Sequence, residues 1–121
     1  KGIDEAARGA LIARVANFLR HYDLLICPAA PVPPFDVTQR YVEAIGDTKM
    51  DNYIEWIAIT YCITLTACPA LSLPCAFTSD GLPVGMQLIA ANGEEARLLS
   101  HASAIEELFA VATGLPIDPC N

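Results

Sequence analysis

Residues 62–89 read CITLTACPALSLPCAFTSDGLPVGMQLI, and the fold turns on their second half. Leu71–Phe77 is an apolar run interrupted by Pro74, and Leu82–Ala90 is a second run with Pro83 near its start. Between them stands Thr78-Ser79-Asp80-Gly81, in which Asp-Gly is the strongest local signal for a turn. The two runs are therefore expected to form a β-hairpin. Proline is tolerated in a strand at its first residue, at an edge or at a bulge.

Outward from the hairpin, helices are expected on both sides. After it, Leu98, Ala102, Ile105, Phe109 and Ala112 follow spacings of four, three, four and three, the stripe of an amphipathic helix over about 94–112. Asn92 is the expected cap, with Glu95 closing a capping box and Gly114 ending the helix. Near the start of the chain, Leu11, Val15, Phe18 and Tyr22 repeat at helical spacing, with Ala7 one turn earlier, giving a helix over 4–21. Asp23–Cys27 reads as a short strand whose unbroken Leu24-Leu25-Ile26 run suits a sheet covered on both faces. Pro28, Pro31, Pro33 and Pro34 then hold an extended loop at that strand's C-terminal end, the edge that faces the active site in α/β folds. Residues 36–48 are polar, with Gly46 as a turn. A helix over about 51–60, capped by Asp51 or Asn52, is apolar on most sides and is expected to be deeply packed. A β-strand over Ile57–Ile63 competes with it. The tail from Pro116 to Asn121 reads as a surface strap.

The order is helix, strand, helix, hairpin, helix. It implies one domain over 1–121, of class α/β: an incomplete α/β/α layered piece with a mixed sheet. With 54% hydrophobic and only 17% charged residues, part of the surface is expected to be covered by further protein. The strand at 24–27 would then be internal to a larger sheet. A small self-contained α/β domain is the competing reading.

Composition also bounds function. The net charge is −7, from 14 acidic and 7 basic residues without a basic cluster, which argues against a nucleic-acid partner. Apolar runs fall well short of a membrane span. Five cysteines (Cys27, Cys62, Cys68, Cys75 and Cys120) include no CxxC pair, and most sit in apolar segments, so a reducing, cytoplasmic setting is expected. Only His21 and His101 could join them, at no ligand spacing, so no metal and no cofactor is expected.

Candidate nucleophiles are few and poorly placed. Ser72 falls within the buried strand, Ser79 in the turn, and Ser100 and Ser103 on the last helix. There is no GxSxG elbow. Cys68, in a loop before Pro69, is the most accessible thiol, with His101 its only plausible base. The pairs Asp47/Asp51 and Glu94/Glu95 sit where helix N-termini favour negative charge. Pro83 removes a backbone donor from Gly81–Gly85, which is not a phosphate loop.

Residues 60–90 resemble the C-terminal part of the amidase signature family. Its members commonly show Thr-Gly-x-Pro-Ala, then Ser-x-Pro in a strand, then Gly-Leu-Pro-x-Gly-x-Gln. The matching positions are Thr66-Ala67-Cys68-Pro69-Ala70, then Ser72-Leu73-Pro74, then Gly81-Leu82-Pro83-Val84-Gly85-Met86-Gln87. Tyr22–Pro28 resembles the family's strand ending in Thr-Pro, and the similarity extends over about residues 10–110. Three positions depart from the pattern: Ala67 stands for the usual glycine, Cys62 for a frequent proline and Thr64 for a frequent asparagine.

The resemblance implies hydrolysis of a carboxamide C–N bond through an acyl-enzyme on a Ser–cis-Ser–Lys centre. None of those groups matches a position here; the only lysines are Lys1 and Lys49, in the wrong context. The chain would thus supply sheet core and a pocket wall. Its partners would be the remainder of an amidase polypeptide and a small-molecule amide, with a homo-oligomer open. Trp56, Thr60, Tyr61, Thr66 and Cys68 are the candidate pocket residues. Pro69, Ser72, Pro74, Gly81, Pro83, Gly85 and Gln87 are the structural motif. An apolar wall there would favour an uncharged acyl group. A non-catalytic accessory module derived from the same fold is the alternative.

Overall fold

A computed structural model describes residues 4–111. Its elements are α1 (Glu5–Leu19), β1 (Leu25–Pro28), β2 (Ala44–Ile45), β3 (Thr48–Lys49), α2 (Tyr53–Trp56), α3 (Ala58–Thr64), β4 (Ala70–Phe77), β5 (Pro83–Ile89) and α4 (Glu95–Phe109). Ala112, Gly114, Cys120 and the 116–121 strap lie outside the described residues.

The expected hairpin is the centre of the fold. β4 and β5 pair antiparallel from Ala70↔Ile89 to Phe77↔Pro83. Gly81 takes the left-handed conformation at φ +80°, which a residue with a Cβ rarely adopts. The loop closes through Thr78 N–H to Leu82 O at 2.8 Å and Leu82 N–H to Thr78 Oγ1 at 3.0 Å.

β1 lies on the other side of β5, so the order is β1-β5-β4. Both ladders are antiparallel. The sequence suggests a mixed sheet, but no parallel pair occurs among the described residues. The reason is topological: β1 and β4 flank the same strand, and each runs against it.

The register explains three prolines. Ala29 N–H donates to Gly85 O and Ala90 N–H to Pro69 O. Odd-numbered residues of β5 therefore bond to β1 and even-numbered ones to β4. Pro28 stands opposite Met86, Pro74 opposite Gly85 and Pro83 opposite Phe77, each at a position where the ladder needs no N–H. The register shifts between Pro74 and Ala76, leaving Cys75 as the extra residue of a bulge.

α4 covers one sheet face. Leu73, Leu88, Ala90, Leu98 and Ala102 form the core, with Leu24, Leu71, Met86 and Ile105 packed against it. The stripe read on α4 is thus the buried one as far as Ile105, while Phe109 is half exposed. α1 lies against the opposite face, where Leu11, Val15 and Phe18 border a groove with Leu25. This gives the expected α/β/α layering. Arg8 Nε donates to Leu65 O at 3.3 Å and ties α1 to the end of α3.

Several local expectations change. The helix read over 51–60 is two short helices that break at Ile57 (φ −90°, ψ 13°), and neither has a buried residue. It is not deeply packed, because among the described residues nothing covers its outer side. Asn52 does cap it, accepting from the Ile54 and Glu55 amides. Asn92 does not cap α4: its Nδ2 donates instead to Ala67 O at 3.0 Å, and Glu94 takes the cap position without a side-chain bond. α4 ends at Ala110, left-handed at φ 50°. Phe18 and Tyr22 stack at 4.5 Å but stay exposed; Leu19 is the buried residue of α1. Ser72 is exposed rather than buried, since its side of β4 faces away from α4. Gly46 turns a small hairpin between β2 and β3.

Candidate functional site

The loop after β1 forms one side of the main cleft. Its start is held by the Ala29 N–H bond to Gly85 O at 3.0 Å. Pro31, Pro33 and Pro34 fix φ along it, and the chain bends over residues 29–32 where the sequence suggests an extended loop. The cleft holds about 450 Å³ and is lined by Pro28–Phe35, Trp56 and Pro83–Gly85. Phe35 meets Trp56 edge to face, with ring centroids 5.4 Å apart, and Tyr53 flanks Trp56 at 5.5 Å. The Trp56 Nε1 is buried without a hydrogen-bond partner. No lining side chain is ionisable. Such a surface can hold an apolar group; it contains no nucleophile or base.

Gly85 is required by close approach. A Cβ there would stand 3.3 Å from Ala29 Cβ and 3.4 Å from Ser72 Oγ. Beside it, Cys27, Gln87 and Ser72 lie in register across the three strands. Gln87 Nε2 donates to Cys27 Sγ at 3.3 Å. This row lies on the sheet face away from α4.

The candidate pocket residues do not gather in one place. Trp56 lines the main cleft. Thr66 and Cys68 line a second cavity of about 290 Å³ beside α1, with Leu19, Arg20 and Asn92. The Thr66 hydroxyl is already used: it donates to Ile63 O at 2.6 Å and accepts from Cys68 N–H at 3.3 Å. Thr60 Oγ1 donates to Ile57 O at 2.7 Å. Tyr61 is half-buried on α3. His101 Nε2 is buried without a partner, so it makes no hydrogen bond to Cys68. Phe35 is a wall residue that the sequence does not single out; its one signal there is the proline run after a strand.

Pro69 accepts from Ala90 N–H where β4 begins. Ala67, at the family's glycine position, has φ 56°. Among the described residues, no three His, Cys, Asp or Glu side chains are grouped to hold a metal. No helix there is long and apolar enough to cross a membrane.

Comparison with known proteins agrees with this geometry. The amidase family profile matches residues 3–99. The chain is 37% identical over 105 residues to a glutamyl-tRNA(Gln) amidotransferase subunit from Prosthecochloris aestuarii, covering 84% of this chain but 20% of that protein. A crystal structure of an amidase superposes with a TM-score of 0.74 at 30% identity, over 86% of this chain and 24% of the other. A 6-aminohexanoate cyclic dimer hydrolase shares the fold at TM-score 0.74 and 24% identity, over 93% of this chain and 25% of its own. The chain therefore spans about a fifth to a quarter of the proteins it matches. With the profile covering most of its length and the hairpin, loop and flanking helices in place, this chain belongs to the amidase family and represents a portion of its fold.

Proposed function

We propose that this chain is the part of an amidase that supplies sheet core and one wall of the acyl pocket. The bond broken is a carboxamide C–N bond. The serine that attacks it, and the serine and lysine that activate that serine, belong to a Ser–cis-Ser–Lys centre outside these residues. Backbone N–H groups would stabilise the oxyanion of the tetrahedral intermediate.

The observation that carries this reading is the cleft between the Pro28–Phe35 loop and Pro83–Gly85, lined without a single ionisable group. A buried carboxylate there would lack a positive partner, so an uncharged aromatic or aliphatic acyl group is favoured. Trp56 and Phe35 provide its wall. Thr60, Tyr61, Thr66 and Cys68 lie outside this cleft, Thr66 and Cys68 in the second cavity beside α1, and both threonine hydroxyls are engaged in backbone bonds. The four described cysteines are free thiols, which suits a reducing, cytoplasmic setting.

The test compares the complete polypeptide with the 121-residue chain on carboxamides bearing neutral or acidic acyl groups. The complete protein should release ammonia or an amine from the neutral ones, and the chain alone should release none. Trp56→Ala should raise KM for an aromatic amide about tenfold, the equivalent of roughly 1.4 kcal/mol of lost contact. Steady turnover by the 121-residue chain, abolished by Cys68→Ala, would overturn the proposal.

A further inference from the structure

The loop that walls the main cleft has few anchors. β1 is four residues long and ends at Pro28, which has no N–H. Beyond it, the Ala29 N–H bond to Gly85 O, at 3.0 Å, is the one hydrogen bond from residues 29–35 to the sheet among the described residues. At the far end of the loop, Phe35 meets Trp56 with ring centroids 5.4 Å apart.

β5 holds the near end from one face. Gly85 and Gln87 are two residues apart, so both stand on the sheet face away from α4. At Gly85, the missing Cβ leaves room for Ala29, whose Cβ would lie 3.3 Å from an added one. At Gln87, the half-buried side chain reaches the residue next to the loop: Nε2 donates to Cys27 Sγ at 3.3 Å. Cys27 immediately precedes Pro28 and stands opposite Gln87 in the ladder. The neighbouring row on this face, Leu25 and Ile89, is apolar. An apolar side chain of similar length would fill the Gln87 position as well, so the amide is used for its link to the thiol. Gln87 itself does not line the cleft.

We infer that Gln87 is a positioning residue for acyl selection: by holding Cys27 it fixes the base of the 29–35 loop, and with it the gap between that loop and Pro83–Gly85. Sulfur is a weak acceptor, so the bond is modest. It acts where the backbone has least hold, beside a proline that contributes no N–H. Without it, the way out of β1 is placed by backbone bonds alone, the last of them at Ala29. An acyl group large enough to touch the loop would feel the change; an acetyl group would not. The inference rests on the reading of this cleft as an acyl pocket.

Its test uses the complete polypeptide. Gln87→Leu keeps most of the bulk and removes the amide. KM for benzamide should rise about threefold with kcat unchanged, while acetamide hydrolysis matches the parent. Cys27→Ser keeps an acceptor and should keep the parent's KM. Cys27→Ala should repeat the effect of Gln87→Leu, and the double variant should be no worse than either single one. Hydrogen exchange gives a readout independent of turnover. The Ala29 amide should exchange about threefold faster in Gln87→Leu, while the amide of the fully buried Leu88 keeps its rate. Equal losses with both amides, or faster exchange at Ala29 and Leu88 together, would make Gln87 a general stabiliser and overturn the inference. An unchanged KM for benzamide would overturn it too, as would full additivity of Cys27→Ala and Gln87→Leu. A parent protein that hydrolyses no benzamide removes the acyl-pocket reading instead, and Ala29 exchange then decides whether Gln87 positions the loop.

Discussion

Replacing Ala67 by glycine should stabilise the protein. Ala67 has φ 56°, and its Cβ crowds the following carbonyl in that left-handed conformation. The strain in alanine is about 1–2 kcal/mol. Glycine relieves it but adds freedom to the unfolded chain, an opposing term of about 0.4–1 kcal/mol. The net expectation is a gain of about 0.5–1 kcal/mol, or roughly 2–6 °C in Tm. Little packing is lost, because Ala67 is exposed. The contacts that hold the turn are made by its backbone: its N–H donates to Thr64 O at 3.3 Å and its carbonyl accepts from Asn92. Urea titration followed by fluorescence of the single tryptophan, Trp56, reads the change. Ala13→Gly, on the exposed side of α1, is the control and should lose about 1 kcal/mol. If Ala67→Gly is destabilised as much as Ala13→Gly, residue 67 is not left-handed in solution and the reasoning fails.

Gly85→Ala should destabilise by about 1 kcal/mol, because the new methyl meets Ala29 Cβ at 3.3 Å; adding Ala29→Gly should recover much of the loss in the same titration. Leu88→Ala, at a fully buried position between β1, β4 and α4, should lose about 2–5 kcal/mol of unfolding free energy. Asn52→Ala removes the acceptor for two amides at the start of α2 and should lose about 1 kcal/mol, with faster exchange at the Ile54 and Glu55 amides. The Thr38 hydroxyl and amide donate to Asp36 and hold its carboxyl below the ordinary carboxylate range. A depressed pKa stabilises the loop above the unfolded value, and that contribution fades as pH falls through the folded one. NMR titration should therefore show the Thr38 amide losing its bond at a pH below the ordinary aspartate midpoint, and Thr38→Ala should move the Asp36 midpoint upward.

The hairpin and both long helices are legible in the sequence because each has a local cause. Asp80-Gly81 specifies a turn, and Leu98, Ala102 and Ile105 share a helical face. Phe35 is harder to find, because its role depends on Trp56, 21 positions away in the chain. The segment 51–60 misleads for a related reason. Apolar residues on all sides signal burial, yet α2 and α3 present exposed surface such as Ile54 among the described residues. The expected Asn92 cap fails because α4 starts later, with Glu94 at the cap position, and the Asn92 amide nitrogen is oriented toward Ala67 O, 25 residues away in the chain.

What the sequence determined by itself was element type and family, since turn chemistry, periodicity and motif spacing act over a few residues. Only the tertiary structure decided the strand order, the antiparallel register and the separation of Trp56 from Thr66 and Cys68 into two cavities. The placement of β1 depends on which backbone groups meet across β5, a choice made by contacts such as Cys27 with Gln87, 60 positions apart. The same register showed why Pro28, Pro74 and Pro83 fit in strands: each lies where no ladder N–H is needed.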